Sequence, residues 1–143
     1  MLSKTSKYAL KAVLYLAVNS DENVRIMAKD IGKPINVPKA YVAKILQELA
    51  KHDIVSSVRG PHGGFYLTTE NKKRSLIDIV HLIDGRDRLN SCLLSVKDCD
   101  EKNPCPFHNL LGSVKNDFQK KLKETTINDL VLDIQQNKSA IPL

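Results

Sequence analysis

The segment Arg59-Gly60-Pro61-His62-Gly63-Gly64 packs three glycines and a proline into six residues. Such a stretch cannot continue a helix or a regular strand, so the chain reverses there. On either side lie two short extended runs, Ile54–Val58 and Phe65–Leu67. A tight reversal between two such runs is a β-hairpin. No fold built only from helices accommodates it, so the helices around it must leave room for a small two-stranded element.

The rest of the pattern is helical. Ser3 or Thr5 caps a first helix running to about Asn19, with Ala9, Ala12, Val13, Leu16 and Ala17 at helical spacing. A polar break follows at 19–23. Arg25 to Ile31 is expected as a short helix closed by Gly32. Lys33–Val37 is a turn, and Pro38 opens a third helix to about His52, with the apolar stripe Tyr41, Val42, Ile45, Leu46 and Leu49. After the hairpin, Leu76–Ile83 is a fourth helix ended by Gly85. Residues 86–104 show no periodicity. Pro106–Lys123 is a long amphipathic helix with Leu110, Leu111, Val114, Phe118 and Leu122 on one face. A last helix, Ile127–Gln136, is capped by Thr126 or Thr125.

Three helices followed by a hairpin is the order of a winged helix-turn-helix. The expected class is therefore mainly α with a small β-hairpin wing (α+β). The 143 residues are too few for a barrel enzyme or a full doubly wound nucleotide fold. The net charge is +6, and residues 1–85 hold 13 basic and 8 acidic groups. An anionic partner is thus expected at that part. Aromatic content is 5% with no Trp, which argues against a stacking platform for single strands. The longest apolar window, Tyr8–Val18, is interrupted by Lys11 and falls short of the about 18 residues of a membrane span. The chain is expected to be cytoplasmic, with reduced thiols and no membrane partner.

In a helix-turn-helix the third helix enters the major groove with its N-terminal residues nearest the bases. Here these are Lys39, Ala40, Tyr41 and Lys44, with Gln47 one turn on. Lysines reach phosphate or guanine, and glutamine reads adenine. The plainer alternative is a solvated helix face. At the wing, Arg59 is the one arginine available to enter a narrow minor groove. Gly60, Pro61, His62, Gly63 and Gly64 let the backbone approach phosphate. The glycine-rich loop lacks the Lys-Ser/Thr and following helix of a nucleotide-phosphate loop. Lys4, Lys7 and Lys11 form a further stripe, either on backbone phosphates or simply solvated.

Cys92, Cys99 and Cys105 have six and five residues between them in a polar stretch, and His108 follows Cys105 by three. An odd cysteine count excludes a pure disulfide scaffold for a single chain. Thiolates with an imidazole suit zinc or an iron–sulfur cluster. The spacings match neither the compact C-x₂-C of zinc modules nor plant-type ferredoxin. Unliganded thiols and a structural His108 are the alternatives. A small thiol redox enzyme is the remote one, since no C-x-x-C is present.

Several of these residues carry a family resemblance. Tyr8-Ala9-Leu10-Lys11-Ala12, Tyr41-Val42 and above all Val55 to Leu67 around the wing resemble the Rrf2 family of bacterial winged-helix regulators. The three-cysteine loop resembles its cluster-sensing branch. The resemblance implies a homodimeric transcription factor, not an enzyme, on a palindromic duplex operator. It implies a DNA-binding domain at 1–85, a sensor loop at 86–105, and a dimerisation helix with a C-terminal helix at 106–143. It further implies an iron–sulfur cluster, [2Fe–2S] in preference to [4Fe–4S], on Cys92, Cys99 and Cys105. In one group of members the fourth ligand is a His three residues after the last Cys, here His108. In others it is an acid near the partner's N-terminus, and the matching stretch Ser6-Lys7-Tyr8 has none. A thiol switch or a zinc site on the same regulator is the competing expectation.

Overall fold

The computed structural model describes residues 2–95 and 97–142. Met1 and Leu143, the outer ends of the expected first and last segments, lie outside them. Eight helices, α1 (Lys4–Asn19), α2 (Ala28–Ile31), α3 (Lys39–Lys51), α4 (Thr69–Lys72), α5 (Leu76–Asp84), α6 (Asp87–Asn90), α7 (His108–Glu124) and α8 (Ile127–Gln135), are found among the described residues. A hairpin of β1 (Ser56–Val58) and β2 (Gly64–Tyr66) follows α3.

Helix α1 starts where its cap predicts. The Ser3 hydroxyl accepts from the Ser6 amide. Its face Ala9, Ala12, Val13, Leu16 and Ala17 is buried. Three of these five are alanines, so neighbouring elements approach the α1 backbone closely. Helices α3, α5 and α8 all pack on it. Val42, Ile45, Leu46 and Leu49 of α3 are buried as expected, but Tyr41 is 49% exposed. It leaves the expected apolar stripe and meets the Tyr8 ring edge-on at 5.6 Å.

The second helix is shorter than expected. Arg25 to Met27 do not join it, because Ile26 exchanges two backbone hydrogen bonds with Phe65, at 3.0 and 2.8 Å. The chain before α2 thus lines the edge of the hairpin. Gly32 caps the end of α2 as expected, but with a right-handed rather than a left-handed backbone. It is needed for space: a Cβ there would sit 2.7 Å from the Val37 carbonyl oxygen. The left-handed position comes at the end of the following turns, at Asn36, φ 55. Around it the Val37 amide bonds Gly32 O and the Asn36 amide bonds Lys33 O, the paired closure of a Schellman motif.

The hairpin register is Ser56↔Tyr66, Ser57↔Phe65 and Val58↔Gly64. Gly64 is therefore a strand residue, and the reversal is confined to residues 59–63. A Cβ on Gly63 would fall 2.0 Å from the Val58 carbonyl oxygen, so no side chain fits there. Gly64 sits at φ +148 with the Ile26 backbone 2.8 Å from where its Cβ would be. Behind the wing, Asn71 ties three segments together. It accepts from Ser56 Oγ and the Thr68 amide and donates to Asp53 O.

Two one-turn helices are additional: α4, between the hairpin and the expected fourth helix, which is α5, and α6, inside the stretch without periodicity. The long helix begins at His108, not at Pro106, because Pro106 and Phe107 form a turn. Its expected apolar face divides. Leu122 is buried, whereas Leu110 and Val114 are 67% and 54% exposed.

The end of α5 is pinned to the start of α1. The Asp84 carboxylate accepts from the Ser3 amide at 3.1 Å and from the Ser3 hydroxyl. Arg88 Nε lies 3.9 Å away, and the Asp84 side chain is 3% exposed. Burial alone would push the carboxyl up. The Ser3 hydrogen bonds and Arg88 outweigh it and hold Asp84 below its ordinary value. A depressed folded-state value means the contribution is complete above the ordinary carboxylate range and is lost as pH falls through the lowered value. Asp84→Asn is expected to cost about 1–3 kcal/mol at neutral pH in urea unfolding. It is also expected to flatten the acid limb of the stability curve.

Candidate nucleic-acid interface and cysteine loop

Helix α3 and the wing enclose an open cleft of about 600 Å³. Lys44 and Gln47 reach it from α3, and Arg59 and Gly64 from the wing. Two sequence-predicted groups, one for each DNA groove, thus share one concave face. Lys39, Ala40 and Tyr41 are exposed one turn nearer the start of α3. Gly60, Pro61 and His62 are exposed at the wing tip, while Gly63 is buried within the turn.

Sequence reasoning missed Lys51, which lines the same cleft. The signal was available, since Lys44, Gln47 and Lys51 fall at i, i+3 and i+7 on one helix face. It also missed Arg25, exposed beside the hairpin with its guanidinium 5.8 Å from the Tyr66 ring. The Lys4, Lys7 and Lys11 stripe divides. Lys11 Nζ donates to Ile35 O at 3.4 Å, Lys4 lies over the Tyr8 ring, and Lys7 is exposed.

The cysteine loop departs from α6 and returns at α7. Two contacts fold it back: a bridge between Ser91 and Asp98, and the Cys92 amide on Lys97 O at 2.8 Å. An Asx turn at Asp100, closed by the Lys102 amide, redirects the chain toward Cys105. The His108 amide then bonds Cys105 O at 3.0 Å, which places this pair one turn apart. All three cysteines and His108 are half-buried and line one cavity of about 480 Å³.

Cys92 and Cys105 sulfurs are 3.4 Å apart. The Leu94 amide donates to Cys92 Sγ at 3.5 Å. That hydrogen bond first, then the contact with Cys105, holds the Cys92 thiol below its ordinary value. Cys99 Sγ accepts from Lys115 Nζ at 3.3 Å. Among the described residues no three such side chains already close around a single metal ion. The donors line a shared cavity, with two thiols in contact and a third turned to a lysine.

Comparison with known proteins places this geometry in a family. The family described as Rrf2, iron-dependent transcriptional regulator, matches residues 2–133. An HTH-type transcriptional regulator of Aquifex aeolicus is 38% identical, over 92% of this chain and 91% of that one. The HTH-type transcriptional regulator IscR of Vibrio cholerae is 26% identical, over 92% of this chain and 75% of its own. Among solved structures, CymR, the global cysteine regulator of B. subtilis, shares the fold at a TM-score of 0.73 and 23% identity. That match covers 92% of this chain and 95% of CymR. The chain belongs to the Rrf2 family of transcriptional regulators. It is a DNA-binding regulator rather than an enzyme. Among the described residues no helix is long and apolar enough to cross a membrane.

For the cleft, the expected measurement is a salt titration of binding to a duplex that the wild-type chain selects from a random pool. Lys51→Ala is expected to weaken binding and lower the slope of log K against log salt by about 1. Arg59→Ala is expected to weaken binding most on duplexes with a narrow A·T minor groove.

Proposed function

We propose that this regulator binds a palindromic operator as a homodimer and that an iron–sulfur cluster on its cysteine loop controls the binding. The observation that carries the reading is the convergence of Cys92, Cys99, Cys105 and His108 on one cavity. The donor set fits the group: three thiols, one already biased toward thiolate, and an imidazole. The family's description as iron-dependent, and the loop's resemblance to the cluster-sensing branch, point the same way. When bound, such a group supplies a redox-active centre open to oxidation, nitric oxide or iron loss.

The chain's own residues then do the rest. Residues 86–105 form the sensor loop, held to the helices on either side when Cys92, Cys99, Cys105 and His108 share one ligand. Residues 1–85 form the reading head. Lys39, Ala40, Tyr41, Lys44 and Gln47 face the major groove, and Arg59 to Gly64 face phosphate and the minor groove. Residues 106–143 supply the dimer. Leu110 and Val114 of α7, with Leu93 and Phe107 beside them, form an exposed apolar surface suited to a second copy. The dimer fixes the separation of two heads on successive major grooves, about 34 Å apart, so a small change at α7 alters DNA affinity.

A second reading rests on the Cys92–Cys105 contact at 3.4 Å. In an iron-free chain a peroxide would take two electrons and two protons from these thiols and leave a disulfide. One experiment separates the readings. Anaerobic reconstitution with ferrous iron and sulfide is expected to give a coloured protein with both elements bound, and Cys92→Ala is expected to abolish this. A colourless, iron-free product with intact thiols overturns the cluster reading. A peroxide-induced Cys92–Cys105 bridge found by mass spectrometry would then support the thiol switch. Equimolar zinc without sulfide would support a zinc site instead.

The dimer has its own test. Leu110→Glu places a charge on the exposed face of α7 without touching the core. It is expected to shift sedimentation from dimer to monomer and to weaken operator binding by about tenfold or more, because two heads no longer bind together.

A further inference from the structure

The end of α6 is held by side chains of α7. Lys115 Nζ donates to Asn90 O at 2.7 Å, to Ser91 O at 2.8 Å and to Cys99 Sγ at 3.3 Å. An ammonium has three N–H groups, so each is engaged. One turn along α7, Gln119 Nε2 donates to Leu89 O at 2.9 Å. Three successive carbonyls at the α6 end, which no further helical turn satisfies, therefore find their partners on α7.

Helix α6 also leads to the reading head. Leu89 is buried in the core. Arg88 lies beside Asp84, and Asp84 holds the Ser3 cap of α1. Helix α1 in turn packs along α3. Cys99 and the DNA-reading helix are joined by an unbroken series of contacts, and Lys115 is the first of them.

We propose that Lys115 is a positioning residue that transmits the ligation state of Cys99 to α6 and so to the reading head. The inference rests on the cluster reading above. A free thiol is a weak acceptor, whereas an iron-bound thiolate is anionic and takes a stronger, charge-assisted hydrogen bond. With Cys99 ligated, Lys115 is held between the loop and the α6 end. With Cys99 unligated, the third bond goes to a thiol, a weak acceptor, and the loop is held to the α6 end less firmly. Gln119 anchors the same helix without touching a cysteine, so it serves as the control.

The test uses the full chain, reconstituted anaerobically with ferrous iron and sulfide, and the duplex selected by the wild-type chain. Lys115→Met is expected to retain iron and sulfide, alter the visible circular dichroism and move the reduction potential lower, because a hydrogen bond to sulfur is lost. It is expected to cut the ratio of loaded to cluster-free operator affinity by about tenfold. Gln119→Leu is expected to leave spectrum, potential and ratio unchanged while speeding amide exchange at residues 89–92. If Lys115→Met takes up no iron, Lys115→Arg decides: recovery of iron and ratio together supports the proposal, and recovery of iron alone overturns it. Lys115→Met indistinguishable from wild type, or matched by Gln119→Leu, also overturns it. A wild-type chain that takes up no iron instead defeats the cluster reading itself.

Discussion

The small-residue face of α1 is the constraint on which the rest of the molecule depends. Ala9, Ala12 and Ala17 let α3, α5 and α8 approach one backbone, while Val13 and Leu16 fill the space between them. Helix α3 presents its charged face outward only because its opposite face is locked to α1. Helix α5 carries Asp84 back to the Ser3 cap only because it lies along the same helix. The hairpin enters this arrangement through Ser20, at the end of α1. The Ser20 hydroxyl donates to Leu16 O and accepts from the Leu67 amide. Reading head and wing are thus oriented by one buried seam.

The cysteine loop is built on different physics. Among the described residues of 92–107, none belongs to the buried core. Its order comes from local turns, one bridge and the hydrogen bonds of Lys115 and the thiols. A segment held by so few apolar contacts opens at low free-energy cost. That suits the proposed sensing role, in which the loop's conformation follows what its thiols bind. The short helix α6 joins this adaptable region to the rigid one, with Leu89 in the core and its last carbonyls on α7.

The elements legible in the sequence were the periodic ones. The faces of α1 and α3, the capped start of α8 and the hairpin follow from spacing and turn chemistry. The helix ends were less legible. Gly85 ends α5 at φ 80 as expected, whereas Asn36, Asp53 and Asn137 take the left-handed backbone at φ 55, 59 and 58 with no glycine to mark them. Asparagine and aspartate tolerate that conformation without advertising it. Helices α4 and α6 have one turn each, too short to show a period. Ile26 read as helical because its strand pairing depends on Phe65, far along the chain. In the candidate site the cysteines and His108 were visible as residue types. Lys51 and Lys115 were not, since a lysine's role depends on what its long side chain can reach.

By itself the sequence determined the winged-helix order, the basic residues of α3 and the wing, and the cysteines and His108 of the loop. These follow from short-range rules: periodicity, capping, turn composition and ligand chemistry. Only the tertiary structure decided which groups meet. It brought Lys44, Gln47, Lys51 and Arg59 to one cleft, and set the sulfurs of Cys92 and Cys105 in contact. It turned Leu110 and Val114 outward, and gave Lys115 three acceptors from two segments. Each of these depends on contacts between residues apart in sequence, fixed by packing around α1 at the cleft and by turns and hydrogen bonds in the loop, which local patterns do not encode.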